Sequence, residues 1–285
     1  MNIVNILDEI EKVDGEIYER LNPRRAAMKD FFNMGKKIAV AALPLAMGSM
    51  FQKAYGQSTP AAVTDVLNFA LSLEYLEYHF YNHALVATPT LVPAGAANGA
   101  ITTIRDHENA HVNLLKGALG GSARSVLVYD NFDFTAGGAF ADVFSNYQTF
   151  LKVALAFEDT GVRAYKGQAT VLKKNAVLTT ALQIHSVEAR HAAHLRQMVA
   201  ANVPGASALK PWIGYAANGN DTGIAAVDAV YVREQNTTQA TYQITGINGT
   251  AVSQNAAAES FDEALTKAEV IAIANQFIKT GFKLS

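Results

Sequence analysis

Cysteine is absent from the 285 residues of this chain, which excludes disulfides, thiolate metal sites and iron–sulfur clusters. A metal site would have to use carboxylate and imidazole ligands, which suit iron and manganese and are also accepted by zinc. The formal net charge of −2 provides no basic surface for a nucleic-acid partner. Charged residues make up 17% of the chain and hydrophobic residues 50%, a balance that fits closely packed helices.

Glutamate is scarce over a long stretch of the chain. Between residues 78 and 233 only Glu108, Glu158 and Glu188 occur, although glutamate is soluble and a good helix former. Two of these three begin a Glu-x-x-His motif, ending at His111 and His191. Residues three apart lie on one face of a helix, so each motif directs a carboxylate and an imidazole at one point.

Each motif is preceded by a lone glutamate in a repeated context, Glu74 within ALSLE and Glu158 within ALAFE. The two halves have similar Glu-to-motif spacings, 34 and 30 residues, which suit two antiparallel helices joined by a short loop. Four carboxylates and two imidazoles from four helices are enough to hold two metal ions. The predicted ligands are Glu74, Glu108, His111, Glu158, Glu188 and His191.

Glu77 is a second candidate on the first helix, one turn from Glu74. The internal repeat favours Glu74 as the ligand, because Glu74 aligns with Glu158 whereas Glu77 aligns with Gly161. Glu77 remains a candidate for the layer of residues around the ligands.

Two tyrosines, Tyr81 and Tyr165, follow the lone glutamates by seven residues, two turns later on the same helix face. They either hydrogen-bond to the ligands or are core aromatics with a polar tip. Three of the remaining histidines, His79, His83 and His107, are expected to point away from the site. His185 and His194 flank the second motif by three residues each and either lie at the edge of the site or, like the other three, are ordinary surface or interface histidines, which is the favoured interpretation.

Apolar periodicity and the positions of glycine and proline predict four long helices. Their predicted ranges are 61–86, 98–118, 139–171 and 175–201. The connections are short, long and short, and a single long crossover is the ferritin-like arrangement of an all-α four-helix bundle.

The predicted bundle covers residues 58–204 and is flanked by two extensions. Residues 1–57 contain Arg24-Arg25 followed by an apolar run, an order typical of a twin-arginine export signal leading to the periplasm or cell surface. Alternatively, this segment is structural and the protein stays in the cytoplasm. Residues 205–285 form an irregular extension expected to pack on the bundle, with short strands near 230–232 and 241–244. A capping box at Thr266–Glu269 predicts a short final helix.

Several stretches over residues 61–280 resemble bacterial ferritin-like domain proteins related to plant desiccation-related proteins. These stretches are ALSLEYLEYHFYNHAL, HENAHVNLL, ALAFEDTGVRAYKG and HSVEARHAAHLR. The resemblance implies that Glu108 and Glu188 bridge two metal ions. It also implies terminal ligands, Glu74 and His111 on one ion, Glu158 and His191 on the other.

The resemblance leaves the activity open, because a fold does not determine a function. The first hypothesis is a di-iron or di-manganese oxidoreductase that acts on O₂ or peroxide in stress protection, as a ferroxidase or a manganese-catalase-like enzyme. The alternative is a non-catalytic metal-binding or structural protein of stress, desiccation or the cell surface. The expected partners are a small oxidant or a metal ion, and a homo-oligomer is compatible with the sequence.

Overall fold

The computed structural model describes residues 61–173, 175–215 and 228–285. The predicted export segment, residues 1–57, lies outside these ranges. Within them, no helix combines the length and the apolar character needed to cross a membrane.

Four long helices make up most of the described fold. They are α1 (Ala61–Val86), α2 (Ala96–Leu119), α3 (Tyr147–Gln168) and α4 (Val177–Asn202). Helix α1 packs chiefly against α2, α3 packs chiefly against α4, and α1 also contacts α3. The connections are short, long and short, so the predicted all-α bundle with one long crossover is confirmed.

Helix α3 begins later than the predicted residue 139. It starts at Tyr147, where the side chain of Asn146 accepts hydrogen bonds from the backbone N–H groups of Gln148 and Thr149. The preceding turns bury Phe140 and Val143 in the core. Buried apolar residues therefore continue the periodic pattern into a segment that is not helical, and the predicted boundary was wrong.

The C-terminal extension has little regular structure. It contains the helices α5 (Gln254–Glu259) and α6 (Lys267–Ala274), and the antiparallel two-residue strands β1 (Thr238–Gln239) and β2 (Tyr242–Gln243). The capping box that begins α6 is present as predicted, with Thr266 and Glu269 exchanging hydrogen bonds. The predicted strand at 230–232 is wrong, since residues Ala229–Tyr231 form a single 3₁₀ turn.

Arg163 of α3 connects the bundle to this extension. Its side chain is fully buried and donates to the carbonyl oxygens of Val230, Val232 and Glu263. Its Nε also lies 3.0 Å from Oε1 of Glu234, which is itself buried. The carbonyl groups around Val230 therefore face a guanidinium rather than a neighbouring strand, which explains the failed strand prediction.

A second buried ion pair joins helices α4 and α3. Arg196 of α4 donates to Asp159 of α3, and the hydroxyl of Tyr231 donates to the same carboxylate at 2.9 Å. Tyr231 belongs to the extension, so this network also joins the extension to α3 and α4. Two charged networks therefore hold the extension against the bundle.

We expect the substitution Arg163→Met to lower the free energy of unfolding by about 3–5 kcal/mol, because it leaves Glu234 as an uncompensated buried charge. It also removes the donors to three carbonyl oxygens. The loss should be measured by urea unfolding of the full chain.

The matched control is Arg190→Met on helix α4, where the side chain is exposed and donates to a carbonyl of its own helix. This change should stay within about 0.5 kcal/mol of the parent protein. An equal loss in both variants would contradict a structural role of Arg163 in joining the extension to the bundle.

Candidate metal centre

All four long helices contribute to one buried cluster in the bundle core. Helices α1 and α3 each contribute a single glutamate, and α2 and α4 each contribute a glutamate and a histidine three residues later. The side chains of the four glutamates are at most 1% exposed, and those of the two histidines are 12% and 6% exposed. The structure brings the six predicted ligands together: Glu74, Glu108, His111, Glu158, Glu188 and His191.

Three carboxylates surround the Nδ1 atom of His111. The distances are 3.1 Å to Oε2 of Glu74, 3.0 Å to Oε2 of Glu108 and 3.1 Å to Oε1 of Glu188. These four residues can present one ligand atom each within 4.8 Å of one another, a spacing compatible with a single metal ion.

A matching group surrounds the Nδ1 atom of His191. Here the distances are 2.9 Å to Oε1 of Glu108, 3.0 Å to Oε2 of Glu158 and 3.4 Å to Oε2 of Glu188. Glu108 and Glu188 thus divide their two oxygens between the two groups, whereas Glu74 and Glu158 each belong to one. This is the arrangement of two bridging and two terminal carboxylates around a pair of ions.

The protein's own hydrogen bonds do not satisfy this cluster. Each Nδ1 atom carries at most one proton, yet three carboxylates approach each of the two nitrogens. Oε1 of Glu108 and both oxygens of Glu188 are buried without a hydrogen-bond partner, even though a histidine nitrogen lies close by. Buried charged oxygens without partners are costly, and a cation at each of the two points would bind these oxygens. The residues therefore fit a dinuclear metal centre.

The ionisation of the cluster shows the same need for positive charge. Burial raises the pKa of Glu74 to about 8, against the opposing effect of His111. Burial alone would lower the pKa of His111 and His191, but the neighbouring carboxylates outweigh it and raise both. Without metal, protons on these groups offset part of the negative charge, and metal ions would take the place of those protons.

Tyr81 and Tyr165, which are equivalent in the internal repeat, each contact a glutamate of the opposite half. Tyr81 of α1 donates to Oε1 of Glu158 at 2.5 Å, and Tyr165 of α3 donates to Oε1 of Glu74. Burial, reinforced by the adjacent carboxylate, raises the pKa of both phenols well above the usual value. Both tyrosines therefore stay protonated and orient the terminal carboxylates.

One histidine expected to point away does not. Nδ1 of His107 lies 2.9 Å from Nε2 of His191, and the two rings stack with centroids 5.2 Å apart. His107 is next to Glu108 and so lies about 100° around helix α2 from it, but His191 reaches the same side from α4. A contact of this kind joins two helices, so it produces no regular residue spacing within either one. For this reason it could not be predicted from the sequence.

Three other histidines contact residues outside the cluster. His79 contacts the carbonyl of Leu127 at 2.9 Å, and His185 contacts that of Val162 at 2.9 Å. His83 stacks on Tyr129.

Glu77 lies outside both ligand groups but inside the same core. It is 3% exposed, and it lies beside Gly161 of α3, its partner in the internal repeat. Glu77 and the four carboxylates of the cluster thus form one acidic interior within the bundle.

Comparison with known families agrees with this geometry. The model of the ferritin-like domain family matches residues 62–201, a range that spans all four long helices and all six clustered residues. No curated protein and no solved structure gives a significant match to the chain. Residues 62–201 of the chain therefore form a ferritin-like domain, which contains the acidic and histidine cluster.

Proposed function

We propose that this protein is a dinuclear metalloenzyme that acts on O₂ or peroxide, using iron or manganese, in protection against oxidative or desiccation stress. The observation that carries the proposal is the division of the oxygens of Glu108 and Glu188 between two histidine-centred groups. Carboxylates placed in this way hold two ions close enough to act on one small molecule.

The burial of the centre favours a small substrate. The clustered side chains are between 0% and 12% exposed, so an organic molecule would have to displace packed core residues to reach them. Dioxygen and hydrogen peroxide are small enough to reach such a centre through thermal openings of the bundle. When bound, a pair of redox-active ions would supply the electron exchange that the side chains of this chain do not provide.

In this proposal, side chains of the protein bind the ions and orient the carboxylates that hold them. Glu74 and Glu158 would each bind one ion, while the hydroxyls of Tyr165 and Tyr81 hold the second oxygen of each carboxylate in place. Because both phenols stay protonated, they also keep a proton within reach of the centre. The aliphatic and aromatic core around the cluster excludes bulk water, which strengthens the electrostatic interactions inside it.

Metal binding is the first prediction. Metal-free wild-type protein should take up two Fe²⁺ or Mn²⁺ ions per chain, and Glu108→Gln should reduce this to one or fewer, because Glu108 serves both ions. The metal-free variant should melt at the same temperature as wild type or higher, since a buried carboxylate has become a neutral amide. Equilibrium dialysis with elemental analysis, together with calorimetry, measures both effects.

Asp106→Asn is the matched control for this experiment, because Asp106 is exposed on the same helix and pairs with Arg105. It should leave the occupancy at two. Equal occupancy in wild type and Glu108→Gln would contradict the proposed bridging role.

Redox turnover is the second prediction, and it separates an enzyme from a structural metal protein. Protein loaded with Fe²⁺ or Mn²⁺ should consume O₂ or disproportionate H₂O₂ faster than the same concentration of free ion. Protein loaded with Zn²⁺, which has no redox chemistry, should not. An oxygen electrode measures both reactions, as uptake of O₂ or as release of O₂ from H₂O₂. Metal that only raises the melting temperature, with no turnover above the free ion, would instead support the non-catalytic alternative.

A third prediction concerns His107 as a positioning residue. His107→Phe keeps a stacked ring but removes the contact to Nε2 of His191, so the His191 ring loses its orienting partner. We expect about a 10–100-fold weaker affinity for Mn²⁺, measured by competition with a chelator. His194→Phe, at an exposed position on α4, is the control and should leave the affinity unchanged. Equal affinities of both variants would mean that His107 does not position His191.

A further inference from the structure

At one pair of positions in the core, the internal repeat has a carboxylate in one half and a glycine in the other. The repeat matches Glu74 with Glu158 and Tyr81 with Tyr165, and it matches Glu77 with Gly161. These last two counterparts meet in the structure. A Cβ atom added to Gly161 would lie only 3.2 Å from Oε1 of Glu77. The missing side chain of one half therefore provides the space for the carboxylate of the other.

Glu77 has no partner that explains its burial. The residue is 3% exposed. Within the described part of the chain, no hydrogen bond or ion pair reaches its carboxylate, whereas Glu74 and Glu158 each have a tyrosine donor. An unpaired carboxyl group in a core costs several kcal/mol unless it is protonated or meets a cation. Glu77 is therefore either protonated or bound to a cation that the protein itself does not supply.

The surroundings of Glu77 indicate where that partner would be. The space at Gly161 also adjoins Glu188, whose Oε2 would lie 3.8 Å from an added Cβ. That same oxygen of Glu188 faces Nδ1 of His191 at 3.4 Å, and Gly161 follows Glu158 by about one turn of α3. The carboxylate of Glu77 therefore lies on the side of the centre that contains Glu158, Glu188 and His191.

We propose that Glu77 is a seventh ligand of the metal centre, reaching across from α1 to the ion held by Glu158 and His191. This inference rests on the proposed dinuclear centre. It makes the two ions inequivalent, because the ion at Glu74 and His111 has no counterpart of Glu77: that position of the repeat is Gly161. A carboxylate that enters from the opposite half also gives one ion an extra anionic ligand.

The test is the binding of Mn²⁺ alone to metal-free full-length protein, followed by equilibrium dialysis and by the electron paramagnetic resonance spectrum of the bound ion. Wild type should bind two ions in two steps. In Glu77→Gln, which keeps the size of a protonated carboxyl group, one of the two steps should weaken by about tenfold or more, and the spectrum of that ion should change.

Gly161→Ala provides an independent variant. Its Cβ atom displaces the Glu77 carboxylate, so one Mn²⁺ step should weaken, while alanine favours folding over glycine in a helix interior. Gly117→Ala on α2 is the matched control, because nothing lies within 4 Å of a Cβ atom there. In the double variant with Glu77→Gln, the Gly161→Ala substitution should have no further effect on Mn²⁺ affinity.

The outcomes separate this inference from the proposed function. If wild type and Glu77→Gln both bind two Mn²⁺ ions with equal affinities and equal spectra, Glu77 is a protonated core residue and the inference is wrong, while the dinuclear centre stands. If Gly161→Ala weakens Mn²⁺ binding equally in the wild-type and the Glu77→Gln background, the substitution acts through Glu188. The inference is then also wrong. If wild type binds no metal, the proposed function and the inference fall together.

Discussion

The burial of several carboxylates in one bundle core is the constraint on which the rest of the structure depends. Glu108, Glu158 and Glu188 are fully buried, and Glu74 is 1% exposed. Such a core is stable only if positive charge enters it, because unpaired buried carboxylates cost several kcal/mol each. Protonated histidines meet part of this need in the protein alone, and metal ions would meet the rest. This requirement determines the positions of all four helices, since each helix has to place its glutamate in the shared cluster.

Helix α3 is the element through which this constraint reaches the rest of the chain. Its residue Glu158 faces the centre, while Asp159 and Arg163 face charged partners on α4 and in the C-terminal extension. A helix with polar groups buried on two sides cannot be positioned by apolar packing alone. The extension, irregular as it is, therefore contributes to the centre indirectly: it covers the outer side of α3 and satisfies the groups there.

The sequence predicted the parts of this fold that depend on spacing within one helix. Within each Glu-x-x-His motif the two ligands share a helix face, and each repeated tyrosine shares a face with the glutamate seven residues before it. Helices α1, α2 and α4 begin and end within two residues of the predicted bounds. Features that depend on contacts between distant segments could not be predicted. Helix α3 starts at Tyr147 because Asn146 caps it, residues around Val230 turn to bind Arg163, and His107 meets His191 across two helices.

The internal repeat and its departure at Glu77 and Gly161 have one physical explanation. A repeat of two helical hairpins places equivalent residues opposite each other across an approximate twofold axis, which suits two ions that share bridging carboxylates. Where equivalent positions of the two halves meet, however, two large side chains would occupy the same space. Gly161 and Glu77 are such a pair, since even a methyl group at Gly161 would press on the Glu77 carboxylate. Only one half can carry a large side chain at this point. A repeated sequence therefore has to become asymmetric at its centre, and in this protein the asymmetry adds a carboxylate beside one of the two metal positions.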